Sequence, residues 1–251
     1  MSKKSSYIWR NYVKTCTRRI LSFLCRQIHF GATYGGGEAK RSSFLWQNYG
    51  FDASFVTKLP THEIGQAAVN SLRKYGVDTS KIARGGDRVG IYFLEKGASQ
   101  RPSKVIYDRA GSSIYTASKE DFNWKEIFEG AEWFHFTGIT PALNDNVAEI
   151  CLEACKAAKE MNVKISCDLN YRNKLWSKAK AGEVMGELCK YVDVCIANEE
   201  DAADVFGIHA ANTDVTAGEV NHEGYKDVAK QLADRFGFEK VAITLRESIS
   251  A

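Results

Sequence analysis

From Ser54 onward, short apolar runs alternate with longer stretches whose apolar positions recur every three to four residues. Residues 54–59 carry the strand pattern and 62–75 the helical one, with Gly76 placed to stop the helix. Residues 88–95 and 104–109 alternate in steps of two around a polar stretch that holds Gly97 and Pro102, which predicts a hairpin with a long tip. Residues 133–137 predict a strand. Residues 146–161 predict a helix with Val147, Ile150, Cys151, Ala154 and Ala158 on one face. Residues 163–167 and 192–197 are apolar runs of the buried-strand type, with a helical stretch at 178–190 between them. A helix at 225–236 and a strand at 240–245 follow, after a polar surface excursion at 212–223. Strands spaced by helices give βαβ units and a mainly parallel sheet, here the centre of a three-layer α/β/α domain. The hairpin at 88–109 breaks this rhythm and should stand outside the main sheet as a small β-lid.

Composition adds mainly exclusions. The 251 residues are 44% hydrophobic and 26% charged, ordinary for a globular chain able to bury a core. A net charge of +3 sets up no strong field for nucleic acid or a membrane surface. No apolar run reaches the roughly 18 residues of a membrane span. The stretch 20–25 is too short and too interrupted by arginine for a signal peptide. None of the seven cysteines forms a Cys-x-x-Cys pair, and a reducing cytoplasm is the expected compartment.

Four clusters could carry chemistry, each also open to a plainer reading. Gly35-Gly36-Gly37-Glu38 lets backbone N–H groups approach an anion or hydroxyls; it would equally make a tight turn. On the hairpin, alternation puts Tyr107 and Arg109 on one face, with Tyr92 on the partner strand. A guanidinium forks a carboxylate and phenols bond hydroxyls, so this face suits a polyhydroxylated anion; ordinary β-propensity would also place tyrosines there. Asp168-Leu169-Asn170-Tyr171-Arg172 follows a buried strand, at the end where parallel sheets collect ligands; it could also serve as a loop capping the next helix. Asn198-Glu199-Glu200-Asp201 follows the next strand. Its acids could hold Mg²⁺, usually through waters, while Asn198 caps a helix whose N-terminus favours acids. His135 reads as a core residue in a strand, and Trp124, Trp133 and Trp176 as packing residues.

In this order the clusters resemble the ribokinase/PfkB-type sugar kinases, in particular the 2-keto-3-deoxygluconate kinases. Gly35 to Ala39 is similar to the start of that family's first signature. Residues 89–92 and 105–109 are similar to its lid strands, 168–172 to its Asp-x-Asn-x-Arg motif, and 198–201 to its Asn-x-x-Glu motif, with Asp201 where Glu is usual. The resemblance implies a ribokinase-like domain over 1–251, and transfer of phosphate from ATP, with Mg²⁺, to a hydroxyl of a sugar acid. Gly35, Gly36, Tyr92, Tyr107, Arg109 and Arg172 would hold the sugar acid. Asn170, Arg172, Asn198, Thr244 and Arg246 would line the nucleotide side, and Asp201 would serve the metal. The implied partner is the small-molecule sugar acid, with self-association through the β-lid.

The sequence departs from the family in two places. The family's catalytic base is an aspartate in a Gly-Ala-Gly-Asp-like segment, and no such segment occurs in the 251 residues, so the domain is expected to be partial and this chain inactive as a kinase. A non-catalytic sugar-binding protein is the alternative reading. A dinucleotide-dependent oxidoreductase ranks last, because no G-x-G-x-x-G follows a first strand. Residues 1–29 and 40–49 are atypical, with Lys40 at the place of the signature's asparagine. A shifted reading frame near 4–29 and 40–49 would account for this and would remove the first central strand.

Overall fold

The computed structural model describes residues 4–8, 12–16, 31–33, 43, 45–210 and 222–244. The chain divides into two compact units, Met1–Asn123 and Trp124–Ala251.

In the first unit, strand β1 (Lys4–Ile8) runs parallel to β4 (Asp52–Leu59), which in turn runs parallel to β5 (Ile82–Arg84). The first strand is therefore present, against the expectation drawn from the atypical N-terminus. A parallel ladder is built from backbone N–H and C=O groups, and Lys-Ser-Ser-Tyr-Ile contains no proline to withhold one. Within β4, Phe55, Val56 and Thr57 are all buried, as expected of a strand covered on both faces. Helix α1 (Glu63–Arg73) lays Gly65, Ala68, Val69 and Leu72 inward at the spacing of one helix face. Phe55, Leu59, Val77, Ile82 and Val89 complete this core, and Trp46 and Ile91 pack against it.

The hairpin forms as β6 (Gly90–Glu95) against β7 (Lys104–Asp108), antiparallel, with Tyr92 opposite Tyr107. It lies in a sheet apart from the parallel strands. That sheet has four strands rather than two, because β2 (Tyr12–Cys16) pairs with β6 and β3 (Gly31–Thr33) pairs with β2.

The second unit is a parallel four-stranded sheet in the order β11 (Lys240–Ile243), β10 (Val194–Ala197), β9 (Lys164–Asp168), β8 (Ala131–Thr137). Its helices are α2 (Trp124–Ile127), α3 (Asp145–Glu160), α4 (Lys178–Leu188), α5 (Glu199–Phe206) and α6 (His222–Phe236). Asn144 starts α3 by accepting the Val147 N–H at 2.9 Å, and Val147, Ile150, Cys151, Ala154, Cys155 and Ala158 form its buried face. Trp124 stacks on Phe128 and Phe134 on Phe136, while Phe128 meets Phe134 edge to face, with centroids 5.2–5.7 Å apart. Five buried free cysteines, at 151, 155, 167, 189 and 195, gather here, with Cys167 and Cys195 directly opposite on β9 and β10. Burial pushes all five thiols up from their ordinary value.

The strand expected from residue 192 begins instead at Val194, because Asp193 is engaged elsewhere. Its carboxylate takes the Ile165 N–H at 2.8 Å and Lys159 Nζ at 2.6 Å, and its carbonyl takes the Glu239 N–H at 2.8 Å. Among the described residues no helix is long and apolar enough to cross a membrane.

Candidate functional site

The first group of chemistry-bearing residues sits on the lid sheet. Antiparallel pairing brings the Tyr92 and Tyr107 rings to 6.0 Å, and the Arg109 guanidinium carbon lies 3.9 Å from the centroid of the Tyr107 ring. A guanidinium over a phenol face is attracted by the ring quadrupole and is held flat against it. Tyr107 is 45% exposed, while Tyr92 and Arg109 are half-buried. The opposite face carries Asp108, whose carboxylate pairs with Arg88 at 2.5 Å. That contact holds the Asp108 carboxyl below the usual carboxylate range, against a small opposing effect of burial.

The second group gathers at the carboxyl ends of β8, β9, β10 and β11. Gly138, just past β8, donates its N–H to Asp168 O at 2.8 Å, and Leu169, just past β9, donates to Ile196 O at 2.9 Å. Thr244, just past β11, donates to Ala197 O at 2.9 Å. The loop after β9 is thereby stitched to both neighbouring strand ends. Asn170 adopts φ +41°, a conformation asparagine tolerates better than most residues, and its Nδ2 donates to Thr137 Oγ1 at 3.1 Å. Asn198 caps α5 by accepting the Asp201 N–H at 2.7 Å. Arg172 is exposed and donates to Tyr171 O at 2.8 Å.

Asp201 is 7% exposed, and its Oδ1 accepts the Tyr171 N–H at 2.9 Å. Burial pushes its carboxyl up to about 6; the Tyr171 N–H opposes this, the nearby Asp168 charge adds to it, and Arg172 and the Asn198 contact act against it. Among the described residues, no three His, Cys, Asp or Glu side chains come together to hold a metal ion. Asp201, the acid expected to serve Mg²⁺, engages the neighbouring loop through one carboxylate oxygen.

Of the residues singled out from sequence, Tyr92, Tyr107 and Arg109 come together on the lid. Asn170, Arg172, Asn198, Asp201 and Thr244 come together at the strand ends of the second unit. Gly35, Gly36 and Arg246 lie outside the described residues. Thr137 and Gly138 escaped the sequence reading. Thr137 is fully buried and holds Asn170, and a Cβ on Gly138 would come within 2.0 Å of Leu169 O. The signal available was a glycine directly after a strand, which marks a close approach of backbone.

Polar loops at the ends of a parallel sheet, and a separate β-sheet that presents arginine and tyrosine, are features of ribokinase-like carbohydrate kinases. The chain belongs to the pfkB family of carbohydrate kinases, whose sequence model matches residues 16–246. It is similar to the 2-dehydro-3-deoxygalactonokinase of Haloferax volcanii, with 34% identity over 198 residues, 79% of this chain and 58% of that protein. It is also similar to the 2-dehydro-3-deoxygluconokinase of Bacillus subtilis, with 28% identity over 129 residues, 51% of this chain and 39% of that protein. The crystal structure of 2-dehydro-3-deoxygluconokinase from Thermotoga maritima superimposes with a TM-score of 0.90 at 48% identity, covering 100% of this chain and 73% of that one. The chain spans about half the length of the curated relatives it matches.

Proposed function

We propose that the protein takes part in ATP-dependent phosphorylation of a sugar acid, 2-keto-3-deoxygluconate (the same compound as 2-dehydro-3-deoxygluconate). The observation that carries this reading is the lid face on which Tyr92, Tyr107 and Arg109 stand together. A guanidinium forks a carboxylate, and phenols suit the hydroxyls of the sugar chain. Relatives named for 2-dehydro-3-deoxy sugar acids support the choice of substrate.

In this reaction a sugar hydroxyl attacks the γ-phosphorus, the bond to the leaving ADP oxygen breaks, and the hydroxyl proton passes to a base. Positioning and charge neutralisation supply most of the rate. Residues 1–251 contribute binding and orientation. Gly35, Gly36, Tyr92, Tyr107, Arg109 and Arg172 serve the sugar acid, and Asn170, Arg172, Asn198, Thr244 and Arg246 serve the nucleotide. Mg²⁺ would travel with the ATP phosphates; Asp201, bonded to Tyr171 N–H, would act on it through charge rather than direct ligation.

The test is titration calorimetry of the chain with 2-keto-3-deoxygluconate and with a neutral sugar of similar length, alongside a coupled assay for ADP release. The acid should bind more tightly than the neutral sugar. Arg109→Ala should weaken acid binding about tenfold or more, since a charge-assisted hydrogen bond is worth roughly 1.5–3 kcal/mol. Equal binding of the acid by R109A and the parent would overturn the reading. Acid binding without ADP release would limit the function to sugar-acid binding.

A further inference from the structure

Arg88 stands just before β6, and its side chain reaches the end of β7. Nη2 meets Asp108 Oδ2 at 2.5 Å and Asp108 O at 3.4 Å, while Nη1 meets Ala110 O at 3.4 Å. The two carbonyls belong to the residues on either side of Arg109. The carbonyl of Arg88 in turn accepts the Ser113 N–H at 2.8 Å and the Ser113 hydroxyl at 3.1 Å. Ser113 is packed so closely on Gly86 that a Cβ there would meet its Oγ at 2.7 Å. The segment 108–113 is thus wrapped around one arginine.

We infer that Arg88 is a positioning residue for Arg109, fixing the flanking peptide groups so that the Arg109 guanidinium is held ready for the substrate carboxylate. This rests on the proposed role of Arg109. A planar fork with several donors can hold one carboxylate oxygen and two carbonyls together, which a lysine ammonium on a flexible stem does less well. The device matters because a long side chain must otherwise be immobilised at the moment of binding, and a site arranged beforehand avoids that loss. Asp108 anchors the fork from the opposite face of the strand and makes no claim on the ligand.

The experiment compares R88K, R88A, R109A and the R88A/R109A pair by calorimetry with 2-keto-3-deoxygluconate. Circular dichroism checks each fold, and hydrogen exchange follows the amides of residues 109–113. R88A should weaken acid binding by roughly three- to tenfold, the range expected when one long side chain must be ordered on binding. R88K should fall between R88A and the parent, and it carries the test if R88A does not fold. Exchange at 109–113 should speed up in either variant without ligand. The double variant should bind no more weakly than R109A alone, because Arg88 acts only through Arg109. Additive losses, or unchanged exchange at 109–113, would overturn the inference and leave the role of Arg109 standing. R109A binding the acid as tightly as the parent would overturn both.

Discussion

Replacing Gly138 with alanine should destabilise the second unit sharply. The added methyl carbon would lie 2.0 Å from Leu169 O and 3.0 Å from its carbonyl carbon. A close carbon–oxygen contact is roughly 3.3 Å, so the loops after β8 and β9 would have to part by more than 1 Å. They are not free to do so. Gly138 N–H is bonded to Asp168 O at 2.8 Å, Leu169 N–H to Ile196 O at 2.9 Å, and Asn170 Nδ2 to Thr137 Oγ1 at 3.1 Å. Overpacking a tight contact costs about 1–3 kcal/mol, and one lost hydrogen bond adds about 1 kcal/mol, giving about 2–4 kcal/mol. With a urea slope of about 2 kcal/mol per molar, the unfolding midpoint should fall by about 1–2 M. Urea denaturation followed by tryptophan fluorescence measures this. The matched control is Gly186→Ala, within α4, where an added Cβ meets nothing within 4 Å. An unchanged midpoint for G138A, or an equal fall for G186A, would refute the argument from backbone contact.

Three further outcomes are expected. Gly186→Ala should raise stability by up to about 1 kcal/mol, the helix preference of alanine over glycine, in the same urea assay. Asp201→Asn should flatten the pH dependence of stability. The folded carboxyl is raised from 3.8 to about 6, so the folded state binds the extra proton and stability falls as pH rises from about 4 to 6. Asparagine cannot ionise and still offers Tyr171 N–H an acceptor, so an equally steep fall in D201N over that range would contradict this. Ile106 and Tyr107 are 43% and 45% exposed on the lid strand, which suits self-association through the lid. Tyr107→Lys should then lower the weight-average mass in sedimentation equilibrium, and a parent chain that is monomeric at all concentrations would count against it.

What the sequence made legible follows from period and length. The six residues of the 54–59 run and the spacing of Val147, Ile150, Cys151, Ala154 and Ala158 were enough to place β4 and α3 to within two residues at each end. Strand β5 is three residues long and shows no period of its own. The shortened start of β10 depends on Asp193 reaching Ile165 and Lys159, 28 and 34 residues earlier in the chain. The lid was read as two strands because β2 comes from a segment that looked atypical and β3 is only three residues long. At the strand ends, Asn170 and Asn198 were visible because polar residues directly after buried strands are conspicuous. Thr137 and Gly138 were not, since neither a threonine nor a glycine announces a partner 30 residues away. The bond from Tyr171 N–H to Asp201 was equally hidden, for its partners lie 30 residues apart in the chain.

The gathered cysteines give the second unit a chemical lifetime distinct from its thermodynamic stability. All five thiols are buried and pushed toward the protonated form, so in the closed unit none offers the thiolate that attacks a disulfide or an oxidant. Opening the unit restores an ordinary thiol at each position, and two that sat opposite one another on β9 and β10 become free to pair with any other sulfur in the chain. In air, each opening event therefore risks a covalent trap from which the sheet cannot reassemble. How long the protein survives there is set by the frequency of opening, and a reductant protects it without strengthening a single contact in the fold.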